Sequence, residues 1–239
     1  MINKPTNNTF NSVKTSDEIL SIAKAAAIGD MCFEYILTKI EIGVTEKYLA
    51  DEIESFLLSN GGEGLAFPTI CVSGENSNLP HGEPTDKKLE EGDFLTMDFG
   101  TIVDGYCGDM TRTVAVGKVD DNQRKVYDTV LRSQIAGLKA IKAGVKCFNI
   151  DKTCRDIIED AGYGEFFIHG TGHGVGREVH EPPTLNTRSE EVLKEYEAVT
   201  VEPGIYIPEK YGVRIEDLAI VTAFGIINLV KSPKDLIIV

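Results

Sequence analysis

The chain has 239 residues, 42% hydrophobic and 26% charged, with a formal net charge of −14. A chain of this length can bury a large core in one domain. Its acidic balance excludes non-specific nucleic-acid binding, which needs clustered Lys and Arg to displace counterions.

No apolar run approaches the ~20 residues needed to span a bilayer. The five cysteines (Cys32, Cys71, Cys107, Cys147, Cys154) are scattered and form no C-x-x-C. That pattern fits free thiols in a reducing compartment better than disulfides or a zinc cage. The polar opening Met1-Ile2-Asn3-Lys4-Pro5 lacks the apolar core of a signal peptide. A cytoplasmic protein is expected, with no membrane partner.

In chain order, residues 1–14 are polar and read as a flexible N-terminal arm ahead of a single domain over 15–239. Thr15-Ser16-Asp17-Glu18 has the form of a capping box and opens a helix running to about Ile42, with Gly43 at its C-terminal side. A second helix is predicted from Thr45 to Ser59, before Gly61-Gly62, and residues 65–73 are β-like. Residues 94–100 and 106–116 read as two strands joined around Asp104-Gly105, a strong hairpin signal. With that dipeptide as the turn, Asp98 and Asp109 become diagonal neighbours on one face, about 7 Å or less apart. Two carboxylates so placed repel unless a cation lies between them.

Asp120 and Gln123 form a second capping box, opening a helix with Tyr127, Leu131, Ile135 and Leu138 on one stripe and Gly144 at its end. Residues 149–161 form another helix, closed by Gly162. Two strands follow, 199–207 and 211–221. With Pro208-Glu209-Lys210 as a three-residue loop, Ile207 faces Tyr211 and Glu202 faces Glu216. Each half therefore shows helices followed by a hairpin carrying two acids, which indicates a duplicated α+β architecture.

The motifs with chemistry are Asp98 in Met97-Asp98-Phe99-Gly100, Asp109 in Gly108-Asp109-Met110-Thr111-Arg112-Thr113, and His173 in Gly170-Thr171-Gly172-His173-Gly174-Val175-Gly176. Glu202 precedes Pro203-Gly204, and Glu216 lies in Arg214-Ile215-Glu216-Asp217. All four histidines (His81, His169, His173, His180) lie in or beside these Gly/Pro-rich stretches. Four carboxylates and one imidazole make a hard, oxygen-rich donor set with capacity for two divalent cations. Mn²⁺, Co²⁺, Fe²⁺ or Zn²⁺ suits it better than a structural zinc does. Two such ions, ~3.5–4 Å apart, can share a water and bring its pKa toward ~7.

His169 and His173 are four apart, but the intervening glycines oppose a helix and no Glu follows the first His, so the zincin motif is absent. The glycines of 172–176 have the wrong spacing for dinucleotide binding; they are expected to let the backbone pass close to a metal or substrate. His81, His169 and His180 are candidates for hydrogen bonding to substrate and for proton transfer. Arg112 and Arg214, beside acidic candidates, are expected to orient a ligand or offset negative charge.

At these motifs, and over residues 16–239, the chain resembles the pita-bread metallopeptidases, the family of methionine aminopeptidase, prolidase and aminopeptidase P. The resemblance implies a pseudo-twofold fold with a curved antiparallel sheet backed by helices. It implies five metal ligands (Asp98, Asp109, His173, Glu202, Glu216) and a metal-bridging hydroxide that attacks the peptide carbonyl. Glu202 would also be general acid/base, and His81 and His180 would contact substrate or the tetrahedral intermediate.

Pro80-His81-Gly82, the Asp109 motif, the His169…His173 pair and Arg214-Ile215-Glu216-Asp217 resemble the Xaa-Pro branch. Length favours methionine aminopeptidase as the alternative, since Xaa-Pro enzymes commonly carry an additional N-terminal domain. A non-catalytic partner-binding homologue is disfavoured because such relatives lose metal ligands. The expectation is thus an exopeptidase with two divalent metal ions, Mn²⁺ first and Co²⁺, Zn²⁺ or Fe²⁺ as alternatives. It would act on a peptide substrate, as a homodimer.

Overall fold

The computed structural model describes residues 11–239. Of the segment expected to be an arm, residues 1–10 lie outside the described residues. Val13 bridges to Glu197, and Lys14 is buried in an ion pair with Glu181 at 2.7 Å, so the end of that segment is anchored.

The first helix, α1 (Ser16–Leu37), starts with the expected capping box: the Thr15 hydroxyl accepts from the Glu18 amide, and the Glu18 carboxylate accepts from the Thr15 amide. It stops five residues earlier than Ile42. The Thr38 hydroxyl donates to Tyr35 O, and the chain then turns so that Val44 and Gly43 pair with Leu89, which competes with further helix. Helix α2 (Glu46–Ser59) is capped by Thr45. Of the β-like stretch 65–73 only β1 (Ile70–Ser73) is a strand, although Leu65 makes an isolated bridge to Thr101.

The first hairpin has the predicted register. β2 (Phe94–Phe99) pairs antiparallel with β5 (Met110–Ala115), Asp98 opposite Thr111; β3 (Ile102–Val103) and β4 (Tyr106–Cys107) continue it to the turn. Asp104 and Gly105 both have positive φ, 52° and 76°, as a two-residue primed turn requires. Asp109 is therefore diagonal to Asp98.

Helix α3 (Asp121–Ala140) carries the predicted Asp120–Gln123 capping box. Its buried stripe is rotated from the expected one: Val126, Tyr127, Val130, Ser133, Gln134, Gly137 and Leu138 are buried, while Leu131 and Ile135 are half-buried. A Cβ on Gly137 would lie 2.5 Å from Cys154 Sγ and 2.8 Å from Val201 Cγ1, so the small residues mark the face on which α3 approaches its neighbours. Helix α4 (Cys147–Asp160) follows. The remaining strands are β6 (Gly172–Gly174), β7 (Glu181–Leu185), β8 (Ala198–Val201), β9 (Gly204–Ile207), β10 (Tyr211–Arg214), β11 (Asp217–Val221) and β12 (Ile226–Asn228).

The second hairpin also keeps its predicted register. Ile207 faces Tyr211, Gly204 faces Arg214, and beyond the interruption Val201 faces Asp217. β1, β2 and β5 form a three-stranded sheet and β12-β11-β8-β6-β7 a five-stranded one. One buried apolar cluster gathers α1, α2 and the first sheet, and a second gathers α3, α4 and the second hairpin. The two halves are stitched where β5 meets the β10–β11 strip. The Glu216 amide donates to Thr111 O at 3.1 Å, and Thr113 Oγ1 both accepts from the Arg214 amide and donates to Arg214 O. That seam brings the acidic positions of both hairpins together.

Candidate active site

Asp98, Asp109, His173, Glu202 and Glu216 all line one cavity of about 1090 Å³, together with His81, His169, His180 and Arg214. Donor atoms of Asp109, His173 and Glu216 lie within 4.8 Å of one another. His173 Nε2 is 3.1 Å from Glu202 Oε1 and 3.7 Å from Asp109 Oδ2. Its Nδ1 lies 3.1 Å from Gly174 O; as the N–H donor there, it leaves the Nε2 lone pair facing the carboxylates in the neutral ring. Asp98 Oδ2 accepts from Arg214 Nη2 at 2.6 Å, while the buried Asp98 Oδ1 has no partner.

The electrostatics follow from crowding. Burial, then the charges of Glu216 and Asp98, pushes Asp109 well above the ordinary carboxylate value. Burial, then Glu202 and Asp98, does the same to Glu216, despite a 2.7 Å hydrogen bond donated by Thr111 Oγ1. Burial raises Asp98 against the opposing charge of Arg214. Glu202 goes the other way. Burial opposes its ionisation, but the hydrogen bond and charge of His173 outweigh it and lower its pKa to about 2. Burial likewise disfavours charged His173, yet its contact with Glu202 leaves the imidazole raised. Acidic groups that repel one another, an unpartnered carboxylate oxygen and an imidazole lone pair in one cavity are a donor set that fits divalent cations.

The histidine loop is held from α4. Asp151, fully buried, accepts from the Thr171 amide (3.1 Å) and hydroxyl (3.0 Å) and pairs with Arg155, which donates to Phe167 O and His169 O at 2.8 Å each. Gly172 lines the cavity, and the glycines beside His173 also have a packing reason. A Cβ on Gly172 would lie 2.1 Å from Thr200 O and one on Gly174 2.3 Å from Pro182 O, so they admit neighbouring backbone.

His169 has both ring nitrogens engaged, Nδ1 with Gly170 O at 2.7 Å and Nε2 with Tyr206 Oη at 2.9 Å. From its place on the cavity wall, His169 thus meets the Tyr206 hydroxyl through Nε2. His180 stacks edge-on against His173 with ring centroids 4.3 Å apart, and both His180 and His81 are exposed on the cavity wall. Arg214 sits in the cavity as expected. Arg112 does not line it; it is buried behind Glu216, donating to Glu216 O, to Asp217 Oδ1 at 2.7 Å and to Ser232 O at 2.8 Å.

Tyr206 was not among the sequence candidates. Its hydroxyl accepts from Arg214 Nη1 at 2.8 Å and thereby links Asp98, through Arg214, to His169. Replacing Tyr206 with Phe removes a buried hydrogen bond from a charged donor, and urea denaturation should show a loss of about 2 kcal/mol.

Among the described residues no helix is long and apolar enough to cross a membrane. Residues 21–223 match the profile of metallopeptidase family M24. The chain is 42% identical over 225 residues to the Xaa-Pro dipeptidase of Pyrococcus furiosus, covering 94% of this chain and 65% of that one. It is 46% identical to an uncharacterised Bacillus subtilis peptidase, YqhT, over 95% of this chain and 64% of the relative. Among solved structures, an Xaa-Pro dipeptidase from Bacillus anthracis superposes with a TM-score of 0.94 at 48% identity, covering 95% of this chain and 64% of that chain. Aminopeptidase P of Escherichia coli in complex with substrate gives 0.86 at 28% identity, covering 93% and 58%. The chain thus spans 58 to 65% of the length of these relatives. Its architecture is the duplicated α+β pita-bread fold that these structures share. With a matched segment that contains Asp98, Asp109, His173, Glu202 and Glu216, the chain belongs to metallopeptidase family M24.

Proposed function

We propose that this chain carries the site of a two-metal exopeptidase that releases an N-terminal residue from proline. The observation that carries the reading is the convergence of Asp98, Asp109, His173, Glu202 and Glu216 in one cavity walled by His81, His180 and Arg214. Similarity to proteins named Xaa-Pro dipeptidase supports the proline preference. We assign those five residues as metal ligands, with Mn²⁺ the first ion to test and Co²⁺, Zn²⁺ and Fe²⁺ after it. Bound divalent cations supply Lewis-acid polarisation of a carbonyl and a lowered water pKa.

The chain's own residues do the rest. A pKa of about 2 keeps Glu202 ionised at neutral pH, so a carboxylate oxygen accepts the proton of the attacking water and delivers it to the leaving imino nitrogen. His81 and His180 hydrogen-bond the substrate carbonyl and the oxyanion that forms from it. Arg214 holds Asp98 and offsets the excess negative charge; Arg112 acts only through the Glu216 backbone, and His169 shapes the wall. Residues 15–239 form one folding unit in this reading, because the site lies on the seam between halves. The five cysteines, all free and buried, support a reducing cytoplasm.

The test is peptide cleavage by chelator-stripped protein reloaded with Mn²⁺, with an Xaa-Pro dipeptide, an Xaa-Pro-Yaa tripeptide and a Met-Ala-Ser peptide side by side. Release confined to the two proline peptides is expected. Preferential release of methionine would overturn the branch, and silence on all three would overturn the peptidase reading. Size-exclusion of the same preparation tests the homodimer.

A further inference from the structure

Glu46 is the first residue of α2, yet its side chain is fully buried and carries no partner of opposite charge among its hydrogen bonds. One oxygen, Oε1, accepts from the Ser73 amide (2.6 Å) and hydroxyl (2.9 Å). The other, Oε2, accepts from the Thr85 amide (3.0 Å) and hydroxyl (2.7 Å). Asn76 Nδ2 sits 3.2 Å from both. Ser73 and Thr85 flank the segment 74–84, whose residues 80–84, with Pro80-His81-Gly82 among them, line the cavity. A single carboxylate therefore closes the base of this loop.

The directions of these bonds are fixed by the neighbours. Ser73 Oγ accepts from Lys87 Nζ (3.1 Å) and Thr85 Oγ1 accepts from the Lys87 amide (3.1 Å), so both hydroxyls donate toward Glu46. Farther out, the loop is tied by the Gly212 amide to Ser77 Oγ (2.8 Å) and by Arg214 Nη1 to Pro80 O (3.1 Å). His81 itself is exposed on this loop. The second half repeats the arrangement: Asp151, buried on α4, grips the amide and hydroxyl of Thr171 in the loop between His169 and His173.

We infer that Glu46 is a positioning residue, a buried clasp that closes the loop 74–84 and so sets His81 against the substrate. The inference rests on the role proposed above for His81, but the clasp itself can be read without any activity. Glu46→Gln is nearly isosteric. Whichever way the amide turns, its NH₂ opposes the backbone N–H of Ser73 or of Thr85, and neither can reverse.

The experiment has two readouts. Hydrogen exchange and long-range ¹H–¹⁵N imidazole spectra, in which the four histidines give four ring systems and His81→Ala assigns one, report the loop directly. In Glu46→Gln, faster exchange confined to 74–84 and displacement of the His81 signals alone are expected. On an Xaa-Pro peptide, kcat/KM should fall about 100-fold in the wild-type background, the scale of an ångström of misplacement. It should fall less than about threefold further in a His81→Ala background. Should Glu46→Gln not fold, Thr85→Val removes one donor from the same clasp and takes its place. Unmoved His81 signals, or equal losses in the two backgrounds, would overturn the inference. If the wild type cleaves no peptide, the proposed function falls while exchange and spectra still decide the clasp.

Discussion

Glu202→Gln is expected to lower kcat/KM on an Xaa-Pro peptide by at least ~1000-fold, about 4 kcal/mol of transition-state stabilisation. The side chain lies where β8 gives way to β9, with Oε1 3.1 Å from both His173 Nε2 and Thr200 Oγ1. The substitution keeps the shape and removes the one carboxylate of the cluster whose pKa is driven down, to about 2, and hence the base that is ionised at every working pH. Folding should survive, because the local backbone is held independently by the Glu202 amide donating to Thr171 O at 2.7 Å. Circular dichroism and a thermal midpoint near the wild-type value would show that. A folded variant with near-normal turnover would remove Glu202 from the mechanism.

Much of this site was legible because turn chemistry fixes register. Asp104-Gly105 tolerates positive φ at both positions, so the pairing of β2 with β5 follows, and with it the diagonal placement of Asp98 and Asp109. The loop before Tyr211 does the same for Glu202 and Glu216. Period-two geometry carries such information over several residues without any knowledge of packing.

Tertiary partners carry no comparable signal. Tyr206 reads as an apolar strand residue; only the fold brings its hydroxyl between Arg214 and His169. Glu46 and Asp151 look like ordinary acids on helices, and their burial beneath histidine-bearing loops depends on contacts 20 to 39 residues distant. Arg112 and Arg214 are both close in sequence to acidic positions, yet strand alternation and a local interruption send one behind Glu216 and the other into the cavity. The rotated stripe of α3 has the same origin, since small residues such as Gly137 permit an approach that apolar periodicity does not reveal.

The acidic cluster also predicts how stability responds to pH once metal is removed. Asp98, Asp109 and Glu216 are all raised, burial being the largest cause for each. A raised carboxyl binds its proton more tightly in the folded chain than in the unfolded one, where it titrates near 4. Its contribution is therefore complete below that value and is lost as pH rises toward the folded pKa, by up to about 1.4 kcal/mol per pH unit per group. His173, also raised, adds the same sign: its contribution is full below about 6.5 and is lost above.

Burial lowers His169 and His180, which gives the opposite slope, but that slope ends near pH 6.5. Glu202 and Asp217, both lowered, lose their contribution only in acid. Chelator-treated protein should thus be less stable in urea at pH 8 than at pH 5.5. Divalent cations compete for the same lone pairs, so excess Mn²⁺ should reverse that order and add about 4 kcal/mol at 1,000 times its dissociation constant. Glu216→Gln removes one of the repelling charges, and should flatten the metal-free slope while weakening the gain from Mn²⁺. A metal-free stability that is level or rising between pH 5.5 and 8, with no gain on adding the cation, would show that these carboxylates neither repel nor bind as their placement requires.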